Sequence, residues 1–148
     1  MGSAWQLAAA VIGTFGLGFG GAAVLGWRRI ATRRGATEQR ERLITLAAHA
    51  AADDSGRGLL VLLAALDRLG PASSPVVVAW LPRLTARGDA PGLLVTITWD
   101  GNQWRRVHQP AAFLKCLEAG LEAAPELAGP RAAALVAEAG RLAADPPA

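Results

Sequence analysis

A small α+β domain, mostly helical and carried on an N-terminal transmembrane helix, is the fold this sequence predicts. Three observations lead there. Twenty-three consecutive residues from Trp5 to Trp27 carry no charge, several later segments read as helices, and one Asp-Gly-Asn-Gln turn separates two runs of β-branched and aromatic residues. At 148 residues the chain has room for one domain of ordinary size beside an anchor. The expected organisation is an anchor over 1–27, a basic juxtamembrane segment over 28–36, a cytoplasmic domain of about four helices and one β-hairpin over 37–144, and a tail over 145–148.

The segment WQLAAAVIGTFGLGFGGAAVLGW is long enough, at about 1.5 Å per residue, for roughly 34 Å of helix. Trp5 and Trp27 stand where an indole places its apolar body and single N–H in the headgroup layer. Arg28, Arg29, Arg33 and Arg34 follow at once, whereas the four residues before Trp5 bring only the terminal amine. The positive-inside bias then puts the N-terminus outside and the C-terminal domain in the cytoplasm, a single-pass topology at the cell membrane. The arginines mark the membrane interface at the headgroups.

Three rival readings of this segment are weaker. A cleaved signal peptide wants a basic start and a shorter apolar core, and neither is present. Gly16, Gly18 and Gly21 satisfy GxGxxG, but the polar, helix-forming ATEQRERLIT stands where a second buried strand belongs. A water-soluble core helix would lose up to about 1 kcal/mol at each of six glycines, which membrane helices tolerate. Gly16 and Gly20 form a GxxxG pair, and Gly18, Ala22 and Gly26 continue the small residues at every fourth position. That pattern suits helix pairing, as a homodimer or with another membrane protein.

The net charge of +3 and pI near 10.4 do not describe a nucleic-acid surface. Residues 28–42 hold six arginines and two glutamates, and the remainder of the chain is slightly acidic, so no extended basic track crosses the domain. The single cysteine, Cys116, excludes an intramolecular disulfide framework.

The domain opens with a helix expected over 37–52, introduced by Thr37 and Glu38, with Leu43, Leu46, Ala47 and Ala50 as its apolar face. Asp53, Asp54, Ser55 and Gly56 break it. The next helix is apolar nearly all round from Leu59 to Leu66, which demands burial, and Gly70-Pro71 stops it. Over 75–88 the signals conflict: Ser74-Pro75 and Arg87-Gly88 frame a helix, while Val76, Val77 and Val78 favour a strand and Pro82 opposes a continuous helix. The reading adopted is helix; a strand here would join the hairpin that follows. That hairpin, LLVTITW and WRRVH about residues 100–103, has an open register. A two- or four-residue loop sets Trp99 and Trp104 on one face, and a three-residue loop places Trp104 with Thr96 and Thr98. Pro110 opens a helix with the stripe Phe113, Leu114, Leu117 and Leu121, ended by Pro125, and a last helix covers 130–143.

No catalytic, cofactor or metal constellation emerges. His49 and Asp53 share a helix face, but two ligands are too few for zinc. Cys116, beside Leu117 and Phe113, reads as a small buried hydrophobe, and nothing fixes its distance to His108. Trp99, Trp104, Arg105, Arg106 and His108 form an aromatic-basic cluster on the hairpin, the candidate binding surface. The expected function is that of an accessory or regulatory subunit, anchored in the bilayer, whose domain binds another protein. The alternative is a membrane-bound enzyme or small-molecule-binding domain walled by Trp99, Trp104, Arg106 and His108.

Overall fold

The computed structural model describes residues 33–70, 74–83 and 91–145. The expected anchor lies outside them, with Trp5, Trp27, Arg28, Arg29 and the small-residue face of Gly16, Gly18, Gly20, Ala22 and Gly26. Among the described residues no helix is long and apolar enough to cross a membrane. The chain divides into two units between Gln39 and Arg40. The described part of the first is helical, residues 33–39, with Arg33 and Arg34 exposed. The second is a mixed α+β unit in which helices cover one face of a three-stranded antiparallel sheet.

Helix α1 includes residues 33–52, from the first described residue onward. It therefore starts earlier than the expected position 37, and Gly35 lies inside it. Thr37 does not cap an N-terminus: its hydroxyl donates to the Arg33 carbonyl 3.0 Å away, four residues back within the helix. A single glycine costs about 1 kcal/mol among good helix formers, too little to stop the helix. Leu43, Ala47 and Ala50 are buried, the face their spacing indicates.

The turn after α1 is held by one carboxylate. Asp53 accepts from the Ser55 N–H at 2.8 Å, the Ser55 hydroxyl at 2.9 Å and the Gly58 N–H at 2.7 Å. It thereby satisfies an N–H that the first turn of helix α2, Arg57–Leu69, leaves without an intrahelical partner. Gly56, with φ 77°, supplies the left-handed residue at the entry. Leu59, Leu60, Leu62, Leu63 and Leu66 of α2 are all buried, and Gly70 ends the helix with its N–H on the Leu66 carbonyl.

The stretch expected as a helix over 75–88 is instead strand β1, Val76–Arg83. Three successive β-branched valines favour a pleated surface. Pro82 is tolerated because β1 is an edge strand in the order β1-β2-β3. As the sequence allows for a strand here, it joins the hairpin, pairing antiparallel with β2, Gly92–Trp99, so that Val76 faces Trp99 and Val78 faces Ile97. Strand β3, Asn102–His108, returns through a two-residue loop at Asp100-Gly101. Both loop residues have positive φ, 43° and 76°, the requirement of the tight turn that matches strand twist. This fixes the register: Ile97 pairs with Trp104, and Trp99 and Trp104 share a face.

Helix α3, Pro110–Ala123, and helix α4, Pro130–Ala144, each begin with proline at the first helical position, where its missing N–H is no loss. A short 3-10 turn, Pro125–Leu127, joins them. The core gathers Leu60, Leu62, Leu63 and Leu66 of α2 with Leu93, Val95 and Ile97 of β2, Leu117 of α3 and Leu135 of α4, each fully enclosed. Gly120 marks where α3 crosses α2, since a Cβ there would sit 2.7 Å from Leu60 Cδ1.

Asp67 ties α2 to the start of α4. Its carboxylate accepts from the Arg131 backbone N–H at 3.4 Å and pairs with the Arg131 guanidinium at 3.3 Å, both groups being largely withdrawn from solvent. A Cβ on Gly129 would overlap Asp67 Oδ2. We predict that Gly129→Ala displaces the carboxylate from the helix N-terminus and costs about 1–2 kcal/mol in denaturant unfolding. The same substitution in an Asp67→Ala background should cost clearly less; equal costs in both backgrounds would separate Gly129 from Asp67.

Candidate functional site

Strand alternation divides the hairpin cluster between two faces. Trp99, Trp104, Arg106 and His108 share the face that carries the buried Val95 and Ile97, and Arg105 lies on the opposite face, exposed. Both tryptophans are half-buried and pack on the core. The aromatic-basic cluster is thus drawn largely inward.

His108 is the most constrained of the group. Its ring stacks on Phe113 with centroids 4.0 Å apart and planes 20° from parallel, and Trp104 lies 6.4 Å away. Gln109 is the N-cap of α3, so His108 immediately precedes the cap and Phe113 is the fourth residue of the helix. An apolar contact between those positions is a hydrophobic staple, which sets the angle at which β3 enters α3. The sequence His-Gln-Pro-Ala-Ala-Phe carries that signal, which the periodicity of the α3 stripe conceals. Phe113 and Leu117 also back the loop at Gly56, since a Cβ there would lie 3.7 and 3.9 Å from them.

Electrostatics follow from this enclosure. His108 Nε2 is buried and has no hydrogen-bond partner. Burial pushes the imidazole below its ordinary pKa, the Arg106 charge pushes further the same way, and Asp54 opposes both. The Arg106 guanidinium itself pairs with the Asp54 carboxylate, linking β3 to the loop after α1. Asp53, taking two backbone N–H donors and a hydroxyl, is held below the usual carboxylate range chiefly by those hydrogen bonds.

The arrangement offers an imidazole whose charged form is disfavoured, in an aromatic stack with an ion pair beside it. Cys116, expected to be buried, is exposed on α3: Phe113 and Leu117 point inward and the intervening turn carries Cys116 outward. No hydrogen bond joins its thiol to His108 among the described residues. His49 is also exposed, and Asp53 is engaged by the loop it caps. Among the described residues no three His, Cys, Asp or Glu side chains gather as a metal site. A cleft of about 210 Å³ lies beside Asp67, Arg68, Glu126 and Gly129. It is smaller than the roughly 300–1,000 Å³ of ordinary small-molecule sites.

Because the native His108 pKa is depressed, the unfolded chain binds more protons between that value and the ordinary one near ~6.5, so stability rises with pH across the window and falls on acidification. We predict that thermal melts between about pH 5 and pH 7.5, above the carboxylate range, show this slope and that His108→Phe, which keeps the stack, flattens it. An unchanged slope in the variant would assign the dependence to other groups.

No family model, curated protein or solved structure matches the chain.

Proposed function

We propose that the chain is a single-pass membrane protein of accessory or regulatory type, its N-terminus outside and its small C-terminal domain held in the cytoplasm to bind another protein. The observation that carries this reading is the charge pattern about residues 5–27: an uncharged span bounded by two tryptophans, with no basic side chain among residues 1–4 and Arg28, Arg29, Arg33 and Arg34 directly after it. Gly16 and Gly20, with Gly18, Ala22 and Gly26, support pairing of the span with a second helix in the bilayer, where close backbone approach is the main attraction available.

The domain's own chemistry supports association over turnover. Three of the four residues that would wall a ligand site have partners inside the fold: Trp104 lies against His108, His108 stacks on Phe113, and Arg106 pairs with Asp54. Trp99, the fourth, packs on the core. A ligand would have to compete with these contacts.

The exposure of Cys116, the sole cysteine, makes the topology directly readable. An impermeant thiol reagent should leave the chain unlabelled in intact cells and label it once they are permeabilised, with no mass lost from the N-terminus. Labelling of intact cells would overturn the orientation. Pull-down from gently solubilised membranes should recover one protein partner in stoichiometric amount; a monomer that instead retains a metabolite would favour the ligand-binding alternative.

A further inference from the structure

Strands β1 and β2 turn Val76, Val78, Leu93, Val95 and Ile97 toward the helices. The other face has no covering element among the described residues. On it Leu81, Leu94 and Val107 pair directly across the sheet in one row, Leu81 and Val107 being 48% and 41% exposed. Val77, two rows away on β1, is 59% exposed. An antiparallel sheet with one solvated face ordinarily alternates polar residues outward, and this row departs from that pattern.

Charge on the same face is one-sided. Arg83 lies in the row on one side of Leu81 and Arg105 in the row on the other, each about 7 Å along the strands. Among the described residues neither is in an ion pair, and none of the residues on this face is Asp or Glu. Trp80, Trp99 and Trp104, the aromatic residues of the sheet, all belong to the opposite face. The outer face therefore lacks the aromatic anchors that dominate protein–protein hot spots.

Size points the same way. Eight residues at about 3.3 Å by three strands at about 4.8 Å give a face of roughly 370 Å², well short of the roughly 800 Å² per partner of a standard protein interface. A bilayer needs no such area from a domain already tethered to it, because tethering turns a weak contact into an intramolecular one.

We propose that this face docks on an anionic lipid surface, Leu81, Leu94 and Val107 meeting the acyl boundary while Arg83 and Arg105 reach the headgroup phosphates. The stems of the arginines extend the apolar contact and their guanidinium groups stay in the polar layer. The inference rests on the membrane-anchored reading above, which supplies the proximity, but it is tested apart from it.

The test uses the full chain in a Cys116→Ser background, spin-labelled through Ala79→Cys on the outer face or, as control, through Ala133→Cys on the exposed side of α4. It is reconstituted in phosphatidylcholine vesicles with and without phosphatidylglycerol. With phosphatidylglycerol, the label at 79 should become shielded from an aqueous nickel chelate and accessible to oxygen, and the label at 133 should not. Arg83→Gln with Arg105→Gln should abolish the shift, and added salt should abolish it in the labelled chain that keeps both arginines, so the result does not depend on an arginine variant that folds poorly. Equal exposure of both labels in both vesicles would overturn the proposal. So would shielding of the label at 79 in detergent without phosphatidylglycerol, which would assign the face to a protein contact. Alkaline washing of the same vesicles reports the anchor separately. A chain that is washed off after showing the lipid-dependent shift loses the anchor and keeps the docking face; one that is retained with an exposed label keeps the anchor and loses the docking face.

Discussion

Leu59, Leu60, Leu62, Leu63 and Leu66 line one broad face of a thirteen-residue helix and are all buried, and an apolar face that wide has to be covered. At about 1.5–3 kcal/mol for each leucine removed from water, these five side chains contribute on the order of 10 kcal/mol, comparable with the net stability of a whole domain. Everything around α2 is arranged by that requirement. α3 and α4 pack on it, and Leu93, Val95 and Ile97 of β2 join the same buried cluster. Gly120 permits the closest approach, where any larger residue on α3 would press on Leu60.

Enclosing an apolar helix leaves its ends to be satisfied at the surface of the core, and two aspartates act at such junctions. Asp53 takes the N–H of Gly58 at the start of α2, and Asp67 near the end of α2 takes the N–H of Arg131 at the start of α4. The sheet has an analogous junction at its far end, where His108 staples β3 to α3 through Phe113. Polar and aromatic side chains that resemble a functional cluster in the sequence thus have structural work at the element boundaries. The exception is the outer face of the sheet. Its aliphatic row and two arginines meet no covering element among the described residues, and that is the physical ground for proposing a lipid surface as their partner.

The elements with strong periodicity or punctuation were legible in the sequence. α2, α3 and α4 fall where leucine spacing, Pro110, Pro130 and Gly70 place them, and the hairpin falls about Asp100-Gly101. The strand at 76–83 was not, because proline and serine before it imitate a helix start while three valines speak for a strand. Only pairing with β2 decides between local preferences so nearly balanced. That α1 extends back past Thr37 is not legible, because Thr37 looks like a cap until its hydroxyl is seen to bond backward along the helix. The hairpin cluster was legible as a group but not in its orientation. Which of Trp99, Trp104, Arg105, Arg106 and His108 turn inward depends on the loop being two residues long, since a one-residue slip exchanges the two faces. Asp54 as the partner of Arg106 had no sequence signal, because the two are 52 residues apart and meet only after folding.

The central claim, that enclosure of α2 organises the domain, is tested most directly by native-state hydrogen exchange on the chain in a bilayer mimetic. If α2 is the last element to open, the amides of Leu62, Leu63 and Leu66 exchange only through global unfolding, with a free energy equal to that from denaturant unfolding and above that of the ends of α3 and α4. Exchange of those three amides at a lower free energy than the β2 amides of Val95 and Ile97 would contradict the account, since the sheet would then persist without the helix whose leucines centre the core.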